Sequence, residues 1–265
     1  MTIFICNACG TSYPEGPDPP AECRICMDER QYVPGSGQSW TTRDALAGQH
    51  RNAWRQHAEG LLSLQSQPYF AIGQRAFLLR TPAGNVLWDC IALLDPATEA
   101  LVRALGGLAA IAISHPHYYT TMRDWAEAFE APIHLHAADR DWVVRPHKSL
   151  RFWEGETLEI MPGVTLICAG GHFPGGTVLH WAEGAGTLLV GDILQVTPGA
   201  HHVSFMWSYP NMMPLPASAI RQIADRLHPW RYEGIFGAFP GHDVLSGGPA
   251  IVARSAQRYV ALISS

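Results

Sequence analysis

The chain has 265 residues, 47% of them hydrophobic and 15% charged, with a formal net charge of −5. That composition suits one large globular domain with an appendage. It shows no Lys/Arg cluster to mark a nucleic-acid footprint, and no stretch reaches the ~18 apolar residues a membrane span needs. The opening MTIFICNACG lacks the basic and long apolar regions of a signal peptide, so a cytoplasmic protein is expected.

The first predicted element is a metal ribbon over residues 1–34. Cys6, Cys9, Cys23 and Cys26 form two C-x2-C pairs separated by thirteen residues. Two such knuckles let four thiolates surround one ion tetrahedrally, as structural zinc is held. The interval GTSYPEGPDPPAE is rich in Gly and Pro and cannot make a core, so a metal must organise it. The alternative is a pair of disulfides, which suits a secreted protein better. The C-x2-C-G-x-x-Y start also resembles rubredoxin and zinc-ribbon knuckles, which keeps iron open beside zinc. The ribbon is expected to be structural and remote from any catalytic pocket.

Residues 35–39, GSGQS, read as a linker or turn, and 35–265 as the main domain. Residues 41–64 contain a helical stretch with Thr41 or Thr42 as cap. Strand-like runs follow at 70–73, 76–81 and 86–90, the last two joined by a hairpin turn at PAGN. A helix is expected at about 96–105, a strand at 109–114, a helix over 121–130 and a strand at 132–136. LEIM, VTLICAG, TVLHWA and TLLVGD are further strands, and helices return at about 216–227 and 249–262. Mixed sheets layered with helices follow from this order.

The metal-competent residues share one local address. His115 and His117 follow the strand AAIAIS, His172 follows VTLICAGG, Asp192 ends TLLVGD, and His242 follows GIFGAF. Loops at strand ends are where a rigid sheet positions chemistry. Neighbouring glycines let the backbone turn tightly there. Cys90 and Cys168 stand alone on apolar segments and read as packing residues.

The ordered set His115-x-His117, His172 in GGH, Asp192 in GD and His242 in GH resembles the metallo-β-lactamase-fold hydrolase superfamily across about residues 67–245. The resemblance implies an αββα sandwich with a metal site at one edge, here carrying a small N-terminal metal ribbon. It also implies that His115, His117, His172 and Asp192 hold a metal, with Asp192 able to bridge to a second one. The family's first motif is usually H-x-H-x-D-H. Here the Asp position is Tyr119 and the last His position is Thr120, so the second site keeps only Asp192 and His242.

One working centre is therefore expected, holding zinc or iron. Zinc with an open position lowers the pKa of its water to ~7 and supplies a hydroxide nucleophile. Asp192 would orient the water, His242 shuttle a proton, and Tyr119 donate to a developing oxyanion. The expected reaction is hydrolysis of an ester, lactone, thioester or amide in a small molecule. The alternatives are a mononuclear non-haem iron dioxygenase using a 2-His-1-carboxylate set, and a non-catalytic binding protein with a degenerate site. Whether the chain forms a homo-oligomer is open. The segment SFMWSYPNMMPLP (204–216) reads equally as a core-covering loop or an apolar pocket wall. His134 and His136 read as strand residues, His201 and His202 as no ligands, and Asp89 as a turn or supporting acceptor.

Overall fold

The structure, a computed structural model, describes residues 1–264. The chain divides into two units, the first comprising Met1–Leu135 with Arg140–Phe152 and the second His136–Asp139 with the chain from Trp153 onward.

The first unit opens with a two-stranded antiparallel ribbon, β1 (Phe4–Cys6) and β2 (Trp40–Thr42). Helix α1 (Arg43–Gln49) follows, and the Thr42 hydroxyl accepts from the Ala45 amide as an N-cap. Helix formers continue past Gln49, yet residues 51–67 are two strands, β3 (Arg51–Ala58) and β4 (Leu61–Gln67). Their turn uses Gly60 at φ 75°. Strand pairing from Arg51↔Gln67 to Ala58↔Leu61 overrides local helix preference. Residues 70–73 are a turn rather than the expected strand, with Ala71 and Gly73 in the left-handed region.

The hairpin β5 (Ala76–Thr81) and β6 (Gly84–Trp88) forms as expected around the PAGN turn. Helix α2 (Pro96–Ala104), capped by Asp95, carries the chain over to β7 (Ala110–Ala112), which lies parallel to β6. Helix α3 (Met122–Phe129) then leads to β8 (Ile133–His136), parallel to β7, and β9 (Leu150–Trp153). Strands β3 to β9 make one seven-stranded sheet in sequence order. Its central strands are buried on both faces, which is why Phe77–Leu79, Val86–Trp88 and Ile111 read as continuous apolar runs.

In the second unit β10 (Thr157–Met161), β11 (Val164–Cys168), β12 (Thr177–Trp181) and β13 (Thr187–Leu189) form an antiparallel meander. Two short pairs follow, β14 (Gln195–Val196) with β15 (Val203–Ser204) and β16 (Met206–Ser208) with β17 (Met213–Pro214). Helix α4 (Ala217–Leu227) brings the chain back to β18 (Gly234–Phe236), parallel to β13, and β19 (Asp243–Val244) closes the six-stranded sheet. Helix α5 (Gly248–Ile263) completes the second unit. Ile220, Ile223 and Leu227 of α4 and Ile251 and Val252 of α5 pack on Ile167, Val178, Leu188 and Ile235 of the sheet. That helical spacing of apolar residues buries one face of each helix. Among the described residues no helix is long and apolar enough to cross a membrane.

Candidate metal centres

The four N-terminal cysteines come together. Their sulfur atoms all lie within 4.8 Å of one another, with Cys6–Cys26 at 3.6 Å and Cys9–Cys23 at 3.5 Å. These separations are far beyond a ~2.05 Å disulfide bond and match the edges of a tetrahedron with ~2.3 Å metal–sulfur bonds. All four cysteines are free thiols. Gly10, at φ 80°, turns the first knuckle so that its amide donates to the Cys6 carbonyl at 2.8 Å. Sulfur hydrogen bonds from Cys23, Cys26 and Cys9 hold the Cys6 thiol far below its ordinary range, which favours a thiolate. A ring of Tyr13, Ile25, Val33 and Trp40 seals the cluster together with Trp142 and Val144. Arg24 and Arg30 both stack on the Trp142 ring.

The ribbon is not remote from the histidine motif. The Ser12 amide donates to the Thr120 carbonyl at 3.0 Å and the Ser12 hydroxyl donates to the same oxygen at 3.2 Å. Thr120 stands three residues beyond His117.

His115 and His117 sit where β7 ends, flanking Pro116 at the start of a 3₁₀ turn (Pro116–Tyr118). Both are buried, with ring centroids 5.0 Å apart. Asp89, at φ 58° just past β6, accepts from the Ser114 amide and hydroxyl, both at 2.8 Å. The Ser114 oxygen lies 2.9 Å from His115 Nδ1. With its proton directed at Asp89, that oxygen accepts from Nδ1–H, which places the lone pair on Nε2. Asp89 thus supports a histidine at one remove.

His172 is fully buried, and its Nδ1 lies 3.2 Å from the Met206 carbonyl oxygen. The carbonyl must accept, so Nε2 is again the ligand-competent nitrogen. Two left-handed glycines, Gly170 and Gly171, precede His172. A side chain at Gly171 would come within 2.8 Å of Ile223 and 2.9 Å of Leu215. Asp192 is buried beyond β13, after Gly191 at φ 53°, and the Tyr209 hydroxyl donates to its backbone carbonyl at 3.2 Å. Burial first, and then the Asp192 charge, push the Tyr209 phenol up, so it stays a donor. The first unit thus offers His115 and His117 past β7, and the second offers His172 past β11 and Asp192 past β13, all four buried. Three imidazoles and a carboxylate, all buried, are a donor set that a divalent transition metal accepts.

The chain is 46% identical to the protein "Uncharacterized protein YmaE" of Bacillus subtilis (strain 168) over 270 aligned positions, covering 100% of this chain and 98% of that one. The chain belongs to the YmaE family. No family model matches it. Solved structures similar to this YmaE-family chain include metallo-β-lactamases. DIM-1 matches with TM-score 0.61 and 13% identity, covering 81% of this chain and 99% of its own. VMB-1 matches with TM-score 0.60 and 10% identity over the same shares. An enzyme of Cronobacter sakazakii with a HARLDQ motif matches at TM-score 0.54 and 18% identity, covering 83% and 97%. The YmaE-family chain therefore has the metallo-β-lactamase fold that its sequence resembles.

His242 is partly buried with Nδ1 at 2.7 Å from the Val196 carbonyl oxygen. Tyr119 is buried at the end of the 3₁₀ turn. His136 Nε2 bonds the Gly155 carbonyl and its ring meets Trp153 edge-on. Cys90 and Cys168 are buried, and burial pushes both thiols up. The 204–216 segment divides its roles. Phe205 and Leu215 are core, Met206 lends its carbonyl to His172, and Met212 is exposed. Tyr209, Ser114 and the Met206 carbonyl escape a sequence reading as supports, because a backbone acceptor or a tyrosine in an apolar loop carries no motif.

Proposed function

We propose that this protein is a cytoplasmic metal-dependent hydrolase of small molecules, cleaving an ester, lactone, thioester or amide. Residues 1–34 would form the four-cysteine zinc ribbon and 35–265 the hydrolase domain. The observation that carries the reading is the donor chemistry: His115, His117, His172 and Asp192 are four buried metal-competent side chains just past the strands of a metallo-β-lactamase fold. A zinc ion held there would polarise a carbonyl oxygen and make a water acidic enough to act as nucleophile near neutral pH.

The chain's own residues do the remaining work. Ser114 and the Met206 carbonyl fix the rings of His115 and His172. The Tyr209 hydroxyl holds the Asp192 backbone, and the Asp192 carboxylate orients the attacking water by accepting its proton. His242, with Nδ1 turned to Val196, presents Nε2 to carry a proton toward the leaving group. Tyr119 donates a hydrogen bond to the oxygen on which negative charge develops.

Metal analysis of the purified protein, with turnover of an activated ester and a lactone, tests this. His117→Ala and His172→Ala should each lose one ion per chain and lower turnover by orders of magnitude while keeping the ribbon ion. Wild-type turnover in both variants would end the proposal.

A further inference from the structure

Thr120 stands in the left-handed region, at φ 35°, which is costly for a β-branched residue. Such a conformation persists only where the surroundings impose it. The surroundings here come from the ribbon. Ser12 grips the Thr120 carbonyl through both its amide and its hydroxyl. Gly10 lies against Thr120, and a Cβ there would stand 3.5 Å from the Thr120 methyl group and 3.1 Å from Ala92. The next residue is held as well, the Thr121 hydroxyl bonding the carbonyls of Ile91 and Ala92.

Ser12 is itself tied to the thiolate cluster. It pairs with Ile5, the residue before Cys6. Its neighbour Thr11 accepts from the Cys6 amide at 2.9 Å and from Cys9 Sγ at 3.3 Å. Arg145 closes the arrangement, donating to Ser12 Oγ at 3.4 Å and to Asp124 in the first turn of α3 at 2.8 Å. Three residues upstream of Arg145, Trp142 packs on the ribbon core.

We infer that Ser12 and Arg145 are positioning residues that make the histidine turn depend on the ion in the four-cysteine ribbon, so that filling the ribbon tightens metal binding at His115 and His117. The inference rests on the metal-site reading above. Without an ion the small apolar ring around the four cysteines has nothing at its centre to hold it together, Ser12 loses its fixed place, and Thr120 relaxes toward an ordinary backbone conformation. The 3₁₀ turn bearing His117 then loses its far anchor. Linkage makes the effect reciprocal, since an ion at the histidines favours the filled ribbon by the same factor.

The test is cobalt(II) titration of the full-length chain. It would be followed by the thiolate charge-transfer absorption of the ribbon and the visible bands of the histidine site. Hydrogen exchange of the peptide covering residues 115–122 gives a second readout. Ser12→Ala and Arg145→Gln should keep the thiolate band, weaken the second cobalt about tenfold, and speed exchange of that peptide. Cys26→Ser should lose the ribbon ion and show the same two effects. Unchanged second-ion affinity and unchanged exchange in these variants would overturn the coupling. If the wild-type histidines take no cobalt, the metal-site reading itself fails. Exchange then decides the coupling alone: faster exchange in Cys26→Ser supports it, and unchanged exchange overturns it.

Discussion

The Ser12 amide donates to the Thr120 carbonyl oxygen at 3.0 Å, joining two residues 108 positions apart in the chain. Nothing local forces Thr120 into its left-handed backbone, so the bond and the Gly10 contact supply the constraint. The Thr120 hydroxyl is buried without a hydrogen-bond partner, whereas its methyl group is packed. Replacing the hydroxyl by a methyl should therefore cost little, and Thr120→Val should melt within about 2 °C of wild type. Ser12→Ala removes a hydroxyl that serves both Thr120 and Arg145. It should lose about 1 kcal/mol, a fall of about 2–4 °C in a chain of this size. Thermal melts followed by circular dichroism check both, and a larger loss in Thr120→Val than in Ser12→Ala would contradict the packing argument.

Ser114 gives a second prediction. Its oxygen links the Asp89 carboxylate to the His115 ring. Outer partners of this kind set ring orientation, and their removal typically weakens metal binding by about 10- to 100-fold. Ser114→Ala should therefore weaken the histidine-site ion by that factor while leaving the ion of the four cysteines in place. Isothermal titration with zinc into chelator-stripped protein would show it. Equal affinity in the two proteins would mean that burial alone fixes the His115 ring.

Removal of the ribbon ion should be visible in tryptophan fluorescence. Trp40 meets Tyr13 edge-on at 5.2 Å, and Trp142 lies under Arg24 and Arg30. Both rings owe their surroundings to the folded ribbon. Chelation should red-shift their emission as water enters, and zinc should reverse it. Cys9→Ser should show the shifted spectrum without chelator. An unchanged spectrum after the thiolate ion has been shown to leave would mean that the ribbon holds its shape without metal.

The legible part of this molecule was its ligand chemistry. Four cysteines at two C-x2-C spacings and five metal-competent residues at strand ends can be read directly, because ligand geometry demands particular side chains at short separations. The buried strands of the first sheet were legible for a similar reason, since burial on both faces leaves continuous apolar runs. The hairpin at 51–67 was not. Strand β3 is an exposed edge whose residues favour helix locally, and only its pairing with β4 makes it a strand. The contact between ribbon and histidine turn was equally invisible. It runs through backbone groups and a serine, far apart in sequence, and neither carries a pattern. His242 stands in its expected motif, and no sequence pattern foretells that its Nδ1 faces the Val196 carbonyl.

Tyr119 occupies the position where the resembled motif has a carboxylate, and it is 4% exposed at the end of the 3₁₀ turn. A second ion in the pocket would have Asp192 and His242 as its good ligands, and two ligands leave most of the coordination shell to water. The wild-type pocket should therefore hold one ion. Tyr119→Asp adds a buried carboxylate whose charge is costly unless a cation compensates it. The variant should be less stable than wild type in metal-free buffer and should regain stability as zinc is added, because an ion that binds only the folded state stabilises it by mass action. Adding Thr120→His, which would complete the motif on paper, should help less than the sequence suggests. Thr120 is buried with its methyl group facing the Gly10 turn, and a larger imidazole there needs room that the buried site does not offer freely. Zinc stoichiometry and melting temperature, measured on wild type, Tyr119→Asp and the double variant, decide the matter. A wild-type pocket that fills with two ions at ordinary zinc concentration, or a Tyr119→Asp variant that gains neither ion nor stability, would show that the Tyr119 position does not control the second site.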